Sequence, residues 1–174
     1  MGIVNVSNSR FSGNSTQASG GALWVEQTST IENSTFSANS ADYSGGAIRG
    51  YGTINATKST FANNTASEGG AIYGFYAYGE GGMVDVSDST FTGNEAVLAG
   101  GAVFAQSGTA YFNTFVNNEA PAVNGVDTPG NAIYKSEDDF FRIGGNIFAG
   151  DSERPQVGMR GNLAMFVDMG GNVF

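Results

Sequence analysis

Acid–base or nucleophilic chemistry in this chain has few carriers to draw on. There is no His and no Cys. That removes imidazole bases, thiolate nucleophiles, the Ser–His pair and metal sites built on imidazole or thiolate. Carboxylates, hydroxyls, amides and a few basic side chains remain. The carboxylates nearest to a catalytic arrangement are Asp85 and Asp88, flanking Val86-Ser87. Hydrolysis or elimination by two carboxylates needs both to face one bond, with Arg or Lys to neutralise the charge that develops. Alternation places Asp85 outward, opposite Val84 and Val86, and leaves Asp88 past the end of the strand. The basic residues Arg10, Arg49, Lys58, Lys135, Arg142, Arg154 and Arg160 are scattered. None recurs beside an acidic column. A solvated pair is the stronger reading, and a carbohydrate-active site on Asp85 and Asp88 is its rival. A second acidic group, Glu137, Asp138 and Asp139, offers hard oxygen ligands of the kind calcium takes. Its spacing is that of neither an EF-hand loop nor a Gly-Asp nonapeptide. The expectation is an acidic, solubilising loop, with no metal and no cofactor.

Whole-chain charge narrows the partners. Sixteen acidic against seven basic residues give a net charge of −9, and only two of the basic residues are Lys. Nucleic acid is not an expected partner, because phosphate contacts need a basic face. No apolar run approaches the ~18 residues of a membrane-spanning helix, so this segment is not expected to insert into a membrane. Gly, Asn, Ser and Thr dominate, yet 40% of the residues are hydrophobic, 13 are Phe and only 13% are charged. Disordered chains have few aromatics and many charges. A repeat protein, with polar turn residues on a schedule, fits better.

The repeat consists of two alternating motifs. Phe-x-x-Asn occurs as Phe11/Asn14, Phe36/Asn39, Phe61/Asn64, Phe91/Asn94 and Phe115/Asn118, with Phe-to-Phe steps of 25, 25, 30 and 24 residues. Gly-Gly-Ala-aliphatic occurs as Gly20-Gly21-Ala22-Leu23, Gly45-Gly46-Ala47-Ile48, Gly69-Gly70-Ala71-Ile72 and Gly100-Gly101-Ala102-Val103. A worn copy is Gly130-Asn131-Ala132-Ile133. Short alternating segments such as Thr53-Ile54-Asn55-Ala56 and Met83-Val84-Asp85-Val86 are bounded by Asn, Ser and Gly. They read as strands of two to five residues between tight turns. Three such strands per roughly 25 residues make one coil of a parallel β-solenoid, an all-β fold. Roughly six or seven coils at about 4.8 Å give a rod about 30 Å long. The motif Phe residues are expected to stack inside. The motif Asn should sit in a left-handed bend and form an amide ladder along the axis. The glycines should allow close backbone approach. The aliphatic column Leu23, Ile48, Ile72, Val103, Ile133 should point inward and the preceding Ala outward.

At these two motifs the sequence resembles the polymorphic outer membrane protein repeats of chlamydial surface proteins, whose signature pairs GGA(I/L/V) with FxxN. Similar repeats occur in large bacterial secreted and cell-wall proteins. The resemblance covers residues 1 to about 134. It implies a right-handed parallel β-helix, export to the cell surface as in autotransporter passengers, and adhesion to which both motifs contribute. The lack of Cys and the tail after residue 135 depart from that pattern.

Outside the motifs, three stretches lengthen the period. They are the aromatic, Gly-rich 73–82, the Pro-containing 119–129 and the acidic 135–139. Residues 1–134 read as regular repeats and 135–174 as degenerate coils of one β-helix. Gly144–Phe148 and Gly170–Phe174 form the late coils, with a loop over 151–162 between them. Phe75, Tyr76 and Tyr78 in the first stretch are expected partner contacts, since insertions in solenoids gather on the binding flank. Trp24 is another, outward if Leu23 is inward. Thr35, Thr60, Thr90 and Thr114 form a single outward row, broken by Arg10, which suits strand geometry better than ice binding. The chain enters and leaves in mid-pattern, as an excised piece of a longer protein does. The resulting open strand edges predict head-to-tail association. The expected function is that of a non-catalytic segment of an exported bacterial surface protein, an adhesin or stalk. Its partner would be a surface protein or glycan of a host or neighbouring cell. A self-assembling fibre subunit is a further alternative.

Overall fold

A computed structural model describes residues 3–75, 82–121, 130–136, 140–150, 155–159 and 166–174. Every pairing between its strands is parallel, each strand bonding to its counterpart one coil later. Three stacks run along the axis, with seven, six and six strands, and a shorter stack of four joins them in the first coils. The third coil shows the order: Ile54–Thr57, Thr60–Ala62, Thr65–Glu68, Ile72–Gly74. These four strands belong to the first, second, third and fourth sheets respectively. The seven strands of the first sheet mark seven coils. The stretch 151–162, expected as a loop, contributes the strand Val157–Met159, in register with Ile133–Lys135. Few apolar residues there announce it, because its ladder bonds come from the neighbouring strand.

Two residues separate the first strand of a coil from the second, and two separate the second from the third. Each gap holds one residue with positive φ. At the first corner these are Asn8, Asn33, Lys58, Asp88 and Phe112; at the second, Gly13, Ala38, Asn63, Gly93 and Asn117. The expectation that the motif Asn itself turns left-handed is therefore corrected: the residue before it does. That residue swings the chain, and the motif Asn follows with its side chain turned into the solenoid.

Once inside, the Asn forms the expected ladder. Asn64 Oδ1 accepts the backbone N–H of Asn39 (3.0 Å) and its side-chain amide (2.9 Å). Asn64 Nδ2 donates to Phe36 O and to Asn94 Oδ1. Asn39 and Asn94 repeat the pattern. All three are fully buried, and only the first copy, Asn14, is exposed. The motif Phe rings stack beside this ladder. Phe11, Phe36, Phe61, Phe91, Phe115, Phe148 and Phe174 follow one another with centroids 4.8–5.1 Å apart and planes within 12°. The late coils carry the stack onward through Phe148 and Phe174.

The Gly-Gly-Ala-aliphatic motif makes another bend. Gly69 has φ +60°, and a Cβ on Gly70 would run into the carbonyl oxygen of Gly101. A side chain at the first glycine is strained, and one at the second collides with the next coil. The aliphatic column faces the core as expected, but the Ala does too. Ala47, Ala71, Ala102 and Ala132 are fully buried beside Ile48, Ile72, Val103 and Ile133. The reason is a kink just before the strand. The carbonyl of Ala71 accepts both Ala47 N–H and Ile48 N–H, and Ala102 does the same for Ala71 and Ile72. Consecutive side chains then turn to the same side. Lys135, expected to open an acidic loop, instead ends the strand Ile133–Lys135, in register with Ala105 and fully buried.

Phe61 lies between Phe36 and Phe91 with no exposed surface. Phe61→Ala is expected to cost about 3–5 kcal/mol in denaturant unfolding, as for other buried aromatics. Phe11→Ala, at the half-buried end of the stack, should cost less. Equal small losses at both positions would place the rings outside.

Candidate contact site on the outer wall

Along the fourth sheet, the residue after each inward aliphatic points outward. Register aligns Trp24, Arg49, Tyr73, Phe104 and Tyr134 into one stripe. Tyr73 stacks on Phe104 at 4.7 Å, and Phe104 tilts against Tyr134 at 5.1 Å. Phe75 closes on both Tyr73 and Phe104. These three stripe residues are buried although they face away from the core. Sequence reasoning missed them. The signal was available: an aromatic one place after the aliphatic in three successive copies of the motif.

Arg49 interrupts the aromatics and binds them together. Its guanidinium lies 5.3 Å from the Trp24 ring centre, 4.9 Å from Tyr51 and 5.1 Å from Tyr73. Such contacts are electrostatic attractions to the ring faces, strengthened as water is excluded. Its Nη1 donates to Ser19 Oγ at 3.3 Å, while its Nε is buried without a hydrogen-bond partner. Tyr51 meets Trp24 edge-on at 5.9 Å. Glu68 hydrogen-bonds with the Tyr73 hydroxyl and feels the charge of Arg49. Its carboxyl nonetheless titrates above the ordinary range, because removal from water outweighs both partners. The Tyr73 phenol is pushed up as well, by burial first and the Glu68 charge second, with Arg49 opposing.

Of the expected contacts, Trp24 is outward and half-exposed, and Phe75 packs against the stripe. Tyr76 and Tyr78 lie outside the described residues. The acidic group Glu137, Asp138 and Asp139 lies outside them too. The repeat-motif Phe and Asn side chains of the central coils are interior. They shape the wall without being presented on it. Asp85 and Asp88 do not converge. Asp85 projects outward from Met83–Ser87 and accepts a hydrogen bond from Thr109 Oγ1 at 2.7 Å, whereas Asp88 occupies the positive-φ corner. The Thr row stands in register at Thr35, Thr60, Thr90 and Thr114, bounded by Arg10 and Ile147.

Glu68 gives the stripe a pH signature. A carboxyl whose folded pKa is raised contributes its stability below the unfolded value and loses it as pH rises through the folded one. Glu68→Gln keeps a hydrogen-bonding group without the charge. The melting temperature of this variant, relative to wild type, is expected to rise as the pH increases above the ordinary glutamate value of about 4.3. A difference that does not change with pH would mean that the carboxylate is well solvated.

Comparison with curated proteins and with solved structures returns no match. The sequence does match the family described as "Right handed beta helix region", over residues 2–120. That span covers the first four coils and the first two strands of the fifth. On that match and on the parallel four-corner winding, this chain belongs to the right-handed β-helix family.

Proposed function

We propose that this stretch of β-helix is a non-catalytic wall of an exported bacterial surface protein, serving as an adhesin or a stalk. The observation that carries the reading is the half-exposed Trp24 at the head of this stripe, held on the outer wall by Arg49 and Tyr51. Solenoids act through their side surfaces. The resemblance to the polymorphic outer membrane protein repeats supports export and adhesion, and the partner is then a protein or glycan on a host or neighbouring cell. The right-handed β-helix family includes both enzymes and non-enzymes. The engagement of Asp85 by Thr109 and the place of Asp88 at a corner, past the strand, support the non-catalytic side of that division.

Attachment of cells to surfaces coated with the chain tests this reading. Wild type is expected to retain cells, and the Trp24→Ala/Tyr51→Ala double variant to retain clearly fewer. Retention no greater than on a bare surface would remove the adhesin reading. Release of new reducing ends from a polysaccharide, abolished by Asp85→Asn, would establish the carbohydrate-active alternative instead.

A further inference from the structure

Trp24 is the chain's single tryptophan, and 49% of its surface is exposed on the side of the solenoid. The ring is held in place. Its strand, Leu23–Val25, is laddered to Ile48–Gly50, Arg49 packs against the indole, and Tyr51 abuts it edge-on. A braced aromatic loses little conformational freedom on binding. Tyr73, Phe104 and Tyr134 are buried, so among the described residues of this patch the exposed aromatic surface is greatest at Trp24, with parts of Tyr51 and Phe75 beside it. The exposed indole face is about one sugar ring wide. It is far below the ~800 Å² per partner of an ordinary protein–protein interface.

The chemistry around the ring favours an uncharged ligand. The Arg49 guanidinium is committed to three rings and to Ser19, and Glu68 offsets its charge. No open fork is presented for bidentate capture of a carboxylate or sulfate. The net charge of −9 repels polyanions at longer range. Immediately after the strand, Glu26, Gln27 and Thr28 are exposed, and the Gln27 backbone rests against the next coil at Gly52. They offer hydrogen-bond acceptors and donors within four residues of Trp24 along the chain. An apolar C–H face over the π surface, with hydroxyls around its rim, matches that arrangement.

We propose that Trp24, with Tyr51 and the Glu26-Gln27-Thr28 turn, is a stacking platform for one residue of a neutral pyranose glycan. The proposal names the ligand class of the contact surface described above and rests on that reading. Because Trp24 is the sole tryptophan, its emission reports on this one place. The 174-residue chain is titrated with cellotetraose, mannotetraose and maltotetraose, and with tetragalacturonate as the acidic counterpart. At least one neutral tetrasaccharide is expected to shift the emission, with an affinity that does not change on adding salt. Calorimetry should find no binding to Trp24→Ala, whose fold is checked by circular dichroism. Tyr51→Ala should bind roughly threefold to tenfold more weakly. Three results would each overturn the proposal: silence with every sugar, a response only to tetragalacturonate that weakens with salt, or undiminished calorimetric binding by folded Trp24→Ala. Enzymatic deglycosylation of the target cells separates this proposal from the adhesin reading. Attachment that survives deglycosylation keeps adhesion and removes the glycan platform. Sugar binding without attachment to any cell keeps the platform and removes adhesion.

Discussion

The corners of this solenoid set the constraint from which the rest follows. Along a strand, backbone groups pair with the coils on either side. At a corner that pairing is interrupted, and the inward N–H groups face an interior filled by Phe, Ile, Val and Ala. An unpaired donor there is costly. The chain resolves this with side chains at fixed places. At the second corner, Asn39, Asn64, Asn94 and Asn118 each supply an oxygen to the backbone N–H of the coil before. At the first corner, Ser34, Ser59 and Ser89 do so with hydroxyls, and Asn113, Asn146 and Asn172 continue the column with amides. Each bond requires the same kind of residue at the same place one coil later. Periodicity in the sequence is the consequence.

Interior identity and exterior freedom follow together. The Phe stack, the two polar ladders and the second glycine of each pair answer to a neighbour about 5 Å away along the axis, so they repeat. Outward positions can meet a neighbour too, but none of them must satisfy a buried backbone group. The stripe on the fourth sheet passes from Trp to Arg to Tyr to Phe to Tyr without disturbing the coil. This is where such a fold can vary its contacts while keeping its frame. Extra residues are accommodated in the same way: the Phe-to-Phe step changes from 25 to 30 while Phe61 and Phe91 stay stacked at 4.8 Å.

The features with a repeated inward partner were legible in the sequence. The Phe column, the aliphatic column and the Asn ladder belong to this group, because each recurs as an unmistakable letter. The inward Ala was misplaced because strict alternation was assumed where one carbonyl accepts two N–H groups and kinks the chain. The left-handed residue was assigned to Asn when the residue before it, which varies from Gly to Ala to Asn, carries the turn. The first-corner ladder escaped notice because its letter changes from Ser to Asn between Ser89 and Asn113, though its geometry does not. The buried Lys135 was hidden by the acidic residues that follow it in sequence. The contact site was half legible. Trp24 was picked out as a lone outward aromatic, but Arg49, whose partners come from three coils, has meaning only after stacking brings those coils together.

Residue-resolved native-state hydrogen exchange tests the central claim, that the corner ladders hold the coils together. The backbone N–H groups of Ser34, Asn39, Ser59 and Asn64 all bond to side chains of the next coil, not to strands. They are expected to exchange only through global unfolding, as slowly as the strand amides of Ile54 and Ile72. Exchange of these corner amides at the rate of open turns, with the strand amides still protected, would contradict the account and make the ladders passengers on a frame held by its sheets alone.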